Sequence, residues 1–288
     1  MESQYLDDII TALKSYQAGD VEEATILGKQ IFQLEPENDI VTLLLGNCAV
    51  VSGDFETGIL HYRKTLEINP SLREAQLGLA RIFLKLGRPN DAFQCFQVLL
   101  SVDDMDIECL MGSAEALVGM GAEEEAQSTI QLILKLDPSK SFAHLLLARI
   151  ARGRANVEKS IGHLLDAIAV DPHSVNAYNE MGIDLIRAGD PLAACKAFHT
   201  ILDQEKRFSD YVFSNWLLAS QYLDELSAEE VFDRHQHWQA VHGCQNPRDR
   251  FDFHNDVTDD RPLRVGFVSP DLYSHSIFFF LQGLLSAH

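Results

Sequence analysis

Large apolar residues stand at Tyr62, Phe96, Ile130, Leu164 and Phe198, one every 34 positions. Small residues keep the same step: Ala12, Gly46, Ala80, Ala114, Ala148 and Gly182 form one column, and Ala24, Gly58, Ala92, Ala126, Ser160 and Ala194 another. Between these columns glycines fall at Gly19, Gly53, Gly87, Gly121 and Gly189, in steps of 34, 34, 34 and 68, with Ala155 in the skipped place. Prolines follow in the same register at Pro36, Pro70, Pro138 and Pro172, with Asp104 in the slot skipped between them. Independent columns that agree on one period are the signature of a stacked repeat. The pattern predicts six units without insertion, 5–38, 39–72, 73–106, 107–140, 141–174 and 175–208, each made of two helices.

Local chemistry agrees with two helices per unit. The glycine suits a left-handed residue closing the first helix. The next residue suits the cap of the second, as Asp20, Asp54, Asn156 and Asp190. Asp20 with Glu23 reads as a capping box. Pro89 and Pro191 sit in a first turn, where a missing N–H costs nothing. The small columns let helices approach, and the large apolar residues fill the space between units. No unit buries its apolar face alone, so the units must stack into a superhelix with a concave groove. A unit of this length, with small residues at the helix crossings, resembles the tetratricopeptide repeat. The expected fold class is therefore all-α, a tetratricopeptide-repeat superhelix or α-solenoid.

A divergent seventh helical pair is expected over 209–243. "SDYVFSNWLLASQYLDEL" is amphipathic and carries Trp216 and Tyr222, and "SAEEVFDRHQHWQAVHG" opens with Ser227 facing Glu230, a second capping box. Residues 244–262 hold Pro, Asn and Asp without period and read as a linker. From 263 to 288 the pattern changes. "LRVGFVS" is a strand-length apolar run, "PDLYSHS" a polar turn and "IFFFLQGLLSAH" a helix, which together read as the first unit of an α/β domain. No dinucleotide or ATP fingerprint accompanies it.

Composition narrows the partners. The formal net charge of −20 repels nucleic-acid phosphates and anionic lipid, so neither a nucleic acid nor a membrane is expected as partner. The apolar run Ile277–Leu281 is too short to span a bilayer, and "MESQYLDDII" does not read as a secretory leader. Five scattered cysteines without Cys-x-x-Cys fit reduced thiols, so a cytoplasmic location is expected. His235 and His237 lie two apart and point to different sides of a helix, and with His242 and His254 they give no expected metal site. Glu123, Glu124 and Glu125 read as a helix start favoured by the dipole rather than an acid/base pair.

The first helix of each unit is expected to line the groove. Its ninth position holds Leu13, Asn47, Arg81, Glu115, Arg149 and Ile183, with Lys85 and Arg152 nearby. Asn47, Arg81, Arg149 and Arg152 are the candidate groove residues for a protein or peptide partner. The arginines read either as a site for an acidic or extended peptide or as ordinary solvated residues of a helix face.

The ordered series "SNWLLASQYLDELSAEEVFDRHQHWQAVHG", a linker, and "RPLRVGFVSPDLYSHSIFFFLQGLL" resembles the bacterial SPINDLY-like branch of the O-linked N-acetylglucosamine transferase family, glycosyltransferase family 41. The resemblance is specific from about Ser214 onward. It implies repeats that choose a protein acceptor, joined to a two-lobed GT-B catalytic region of which 263–288 is the start. It implies transfer of a sugar, N-acetylglucosamine first, from a nucleotide donor to Ser or Thr. The donor would be UDP-N-acetylglucosamine or GDP-fucose. The resemblance places Asp271 and His275 in the first active-site loop, where an imidazole can orient an acceptor hydroxyl or accept its proton. On residues alone, His275 between Ser274 and Ser276 also reads as part of a helix cap.

The family's donor-binding residues have no counterpart here, so no cofactor or donor site is expected, and this chain is expected to be inactive alone, as a truncated form. The animal members' asparagine ladder is also missing: the matching positions are Ile10, Leu44, Gly78, Gly112, Leu146 and Glu180. The alternative is a non-catalytic repeat scaffold. A third reading is an adaptor whose tail docks on its own last helices. An undocked tail would expose Phe278, Phe279, Phe280 and Leu281 and favour self-association.

Overall fold

The computed structural model describes residues 2–204 and 210–242. Fourteen helices fill these residues. They pair as α1 (Glu2–Gln17) with α2 (Val21–Leu34), α3 (Asp39–Val51) with α4 (Phe55–Ile68), and α5 (Arg73–Lys85) with α6 (Pro89–Leu100). Then come α7 (Ile107–Met120) with α8 (Glu123–Leu136), α9 (Ser141–Gly153) with α10 (Val157–Val170), α11 (Val175–Arg187) with α12 (Pro191–Gln204), and α13 (Asp210–Ser220) with α14 (Ala228–His242). No strand occurs among the described residues, and no helix among them is long and apolar enough to cross a membrane. The expected linker and the strand–helix of 263–288 lie outside the described residues.

The turn inside each pair follows one plan. Gly19, Gly53, Gly87, Gly121 and Gly189 all have φ between 65° and 85°, and Ala155 takes φ 56° in the same role. The following residue donates its N–H back across the turn, as in Asp20 to the Ser15 carbonyl at 2.9 Å and Asn156 to that of Ala151 at 3.0 Å. Its side chain meanwhile caps the next helix: Asp20, Asp54, Asn156 and Asp190 accept from Glu23, Thr57, Lys159 and Ala193 N–H groups. This double use corrects one expectation. The Asp20 N–H is already spent, so Glu23 cannot complete a capping box, and its carboxylate accepts from the Ser15 hydroxyl at 2.8 Å instead. The Ser227–Glu230 box does form in both directions, at 2.8 and 3.2 Å.

Between units the large column is buried: Phe96, Ile130, Leu164 and Phe198 are at most 1% exposed and Tyr62 4%. The rings need room on the first helices, and glycine supplies it. A Cβ on Gly46 would lie 2.6 Å from the Tyr62 ring, on Gly78 2.5 Å from the same ring, on Gly112 2.1 Å from Phe96, and on Gly182 2.4 Å from Phe198. In the first unit the column holds Gly28 instead, and Leu45 occupies the space, 2.9 Å from where a Cβ would be. Each buried ring contributes about 1.5–3 kcal/mol of burial.

First helices approach one another along the stack, α1 to α3, α3 to α5, α5 to α7, α7 to α9 and α11 to α13, while no two second helices come comparably close. The first-helix side is thus the shorter, concave one. The step from α9 to α11 is missing from that series. Long charged side chains bridge it.

Candidate functional site

Asn47 and Arg81 line one pocket of about 350 Å³ on the concave side, between α1, α3 and α5. Its floor is apolar, from Val50, Leu77 and Ile82, and its rim is polar, from Tyr16, Glu74 and Lys85. Helical spacing puts Leu77 and Arg81 one turn apart on the same face of α5. The Tyr62 hydroxyl donates to Asn47 Oδ1 at 2.6 Å. That bond uses the carbonyl of the carboxamide and leaves its NH2 to donate toward a ligand. Burial pushes the Tyr62 hydroxyl up to about 12 and raises that of Tyr16, so both remain protonated. Lys85 lies 5.7 Å from the centre of the Phe55 ring. The volume lies at the small end of the range of ligand-binding clefts.

Arg149 and Arg152 line a second pocket, with Arg187, and share no lining residue with the first. The four sequence candidates are therefore split between two places.

The arginines have acidic partners in the next repeat. Arg81 pairs with Glu108, which also holds Arg73 at 2.8 Å. Arg149 lies 3.0 Å from Glu180 and 3.5 Å from Glu115. Arg152 reaches Glu180 at 3.1 Å and meets the fully buried Asp184. Ser160 Oγ stands 2.6 Å from Asp184 Oδ2, so the buried carboxylate has a hydroxyl donor as well. An acid at 184 is unexpected by register. In the second to fifth units the equivalent positions are Cys48, Ile82, Ala116 and Ile150, all buried and apolar, whereas the first unit carries the exposed Lys14 there. That broken column, together with Ser160 in the small column, was the sequence signal for the network.

The ladder positions have a physical explanation. Leu44 and Leu146 are buried in the stack, and Gly78 and Gly112 lie against the Tyr62 and Phe96 rings, so asparagine has no room at the two glycines. Glu180 serves the arginines.

His235 and His237 of α14 face apart. His235 Nδ1 donates to the Val231 carbonyl at 2.8 Å, and His237 packs against Phe213 with 5.7 Å between ring centres. Cys48, Cys95, Cys109 and Cys195 are free and buried, and burial raises the thiols of Cys95 and Cys109 to about 11. Asp271, His275, His254, Cys244 and the apolar residues 278–281 lie outside the described residues.

Comparison with known proteins supports the fold and bounds the rest. The tetratricopeptide repeat family matches residues 74–102. A barley protein described as a probable UDP-N-acetylglucosamine–peptide N-acetylglucosaminyltransferase SPINDLY is 35% identical over 74 residues, which are 26% of this chain and 8% of that protein. The chain thus spans under a tenth of the length of this plant relative. Among solved structures, a tetratricopeptide repeat protein from Parabacteroides merdae superposes with TM-score 0.69 at 15% identity, over 86% of this chain and 96% of the other. YrrB, described as a repeat protein with an unusual peptide-binding site, superposes with TM-score 0.53 at 20% identity, over 59% of this chain and 88% of YrrB. The fold is a tetratricopeptide-repeat superhelix, and part of the chain is similar to SPINDLY proteins.

Proposed function

We propose that this tetratricopeptide-repeat superhelix is the acceptor-recognition region of a nucleotide-sugar-dependent protein O-glycosyltransferase. It holds an extended segment of a protein on its concave side, for transfer of sugar to Ser or Thr. The observation that carries the proposal is the similarity to SPINDLY proteins, 35% identity to the barley sequence over 74 residues. The groove chemistry is compatible with it. The pocket of Asn47 and Arg81 offers an apolar floor for a side chain and the Asn47 amide for a backbone carbonyl. Catalysis would depend on residues beyond this superhelix, with Asp271 and His275 the positions to examine. The donor would be UDP-N-acetylglucosamine or GDP-fucose.

The second reading, a repeat scaffold without a linked enzyme, is supported by the repeat fold itself, which this chain shares with YrrB, described as having an unusual peptide-binding site. One experiment separates the two. The purified chain captures peptides from a digest of its source organism, and the parent proteins are searched by mass spectrometry for N-acetylhexosamine or deoxyhexose on Ser or Thr. Enrichment of glycosylated parents among captured peptides supports the transferase reading. Specific capture of parents that carry no sugar supports the scaffold. Capture unchanged in an Asn47→Ala/Arg81→Glu variant places recognition outside this pocket.

A further inference from the structure

We propose that His144, His163 and Asp166 form a binding site for a divalent cation of the zinc class on the fifth helix pair. His144 lies on α9, and His163 and Asp166 lie on α10, three residues apart and so on one face of that helix. The antiparallel packing of α9 on α10 brings the three together. His144 Nδ1 is 3.9 Å from Asp166 Oδ2, and His163 Nδ1 is 3.8 Å from the same oxygen. All three ligand atoms lie within 4.8 Å of one another.

Those distances are too long for hydrogen bonds. The three polar groups converge at ion-pair separations, with Asp166 shared between the two imidazoles. His144 Nδ1 is buried and has no hydrogen-bond partner. Leaving such an atom unsatisfied carries a desolvation cost, about 1–3 kcal/mol for a buried polar group. A cation at the centre of the triangle removes that cost by taking the nitrogen lone pair. Zinc bonds of about 2.0–2.1 Å set tetrahedral ligands about 3.3 Å apart. Closing the remaining gap takes a few tenths of an ångström at each ligand. Asp166, with its side chain 61% exposed, has the freedom to make its share of that move, and the two partly buried imidazoles must make theirs by small rotations.

The donor set selects the ion. Two imidazoles and one carboxylate suit zinc, cobalt or nickel. Calcium and magnesium prefer all-oxygen shells. Three protein ligands leave a fourth position open to water or to a partner's side chain. His163 also lines a pocket of about 370 Å³ with Gln127 and Gln131 of α8, so the site borders a surface a partner could reach. Lys159, one turn before His163, is a nearby positive charge and weakens the site. A tie between the helices of one repeat is thus the expected role, with moderate affinity.

The test uses the full, reduced, metal-free chain titrated with cobalt(II) chloride, then zinc chloride, alongside His163→Gln, Asp166→Asn and His144→Gln/His163→Gln variants. Other histidines and carboxylates bind metal weakly, so the double variant sets the baseline. The expected result is one equivalent of cobalt with visible bands of a four- or five-coordinate ion, displaced by zinc, and a zinc-dependent rise in the melting temperature. Changes outside the first coordination shell alone weaken metal sites about 10–100-fold, so losing His163 should cost at least that. Binding of equal strength and stoichiometry in the unaltered chain and the double variant would overturn the proposal and leave a plain His–Asp–His surface cluster. His163 and Asp166 are partly exposed, so if the double variant does not fold, equal binding in the unaltered chain and both single variants overturns it in the same way.

Discussion

Arg152 grips Asp184 with two parallel hydrogen bonds, Nε to Oδ1 at 2.7 Å and Nη2 to Oδ2 at 2.9 Å. The pair joins the fifth repeat to the sixth, where the first helices approach each other less closely than at the other joints, and Asp184 is fully buried. A buried ion pair is costly to break and cheap to replace as a whole. Arg152→Ala leaves the buried carboxylate with Ser160 and, at 3.5 Å, Arg187, and a loss of up to about 3–5 kcal/mol is expected. Asp184→Ile with Arg152→Met restores the apolar column of Ile82 and Ile150, and is expected to be neutral or stabilising. Native-state hydrogen exchange of α11 amides checks both, because a repeat array opens locally before it unfolds as a whole.

The glycines under the rings give a second prediction. Gly112→Ala improves helix propensity by about 0.8–1 kcal/mol. Its methyl group would also collide with Phe96, whose Cζ is 2.1 Å from the position of a Cβ. Overpacking of this kind costs about 1–3 kcal/mol, so net destabilisation is expected. Phe96→Leu should relieve it. Urea midpoints over the double-mutant cycle should then show a coupling of at least about 0.5 kcal/mol, and simple additivity would show that the ring moves aside freely.

Ala155 offers a gain. It holds φ 56° in the turn where five other repeat turns use glycine. A left-handed conformation costs an L-residue about 1–2 kcal/mol. Glycine loses some of that advantage through chain entropy, about 0.5–1 kcal/mol. Ala155→Gly is therefore expected to stabilise the α9–α10 pair by about 0.5–1 kcal/mol, read from the urea midpoint at constant slope.

Acid should weaken the caps. Hydrogen bonds from Thr57 hold the Asp54 carboxyl below its usual range, those from Ser139 and then Lys140 hold Asp137 down to about 2, and those from Ser227 hold Glu230 low. Each folded-state value is depressed, so the stabilisation is complete above the unfolded values, near pH 4, and is lost as pH falls toward 2. Helicity followed by circular dichroism through this window should fall. Asp54→Asn, which caps α4 without titrating, and Asp137→Asn, which keeps an acceptor for Ser139 in the turn after α8, should flatten the slope.

The repeat was legible because its glycines, caps and large residues answer to local sterics that recur every unit. Asp20, Asp54, Asn156 and Asp190 all cap as their positions suggested. What escaped a unit-by-unit reading lies between units. Arg81 finds Glu108 and Arg152 finds Asp184, in each case on the next repeat. A charge judged within its own helix looks solvated. Its partner shows only when consecutive repeats are laid side by side. His144 and His163 escaped for a related reason: they lie on the two helices of one unit, and only the packing angle brings their nitrogens together.

The fit of rings to glycines also limits how this array can be rebuilt. Tyr62 sits against Gly46 of its own unit and Gly78 of the next, whereas the position matching Gly78 in the fifth unit is Leu146. Moving the fifth unit to follow the second would drive a leucine into a tyrosine ring. The joints differ in what fits them together. The repeats share a period but are not interchangeable, and their order along the chain is itself part of the fold's specification.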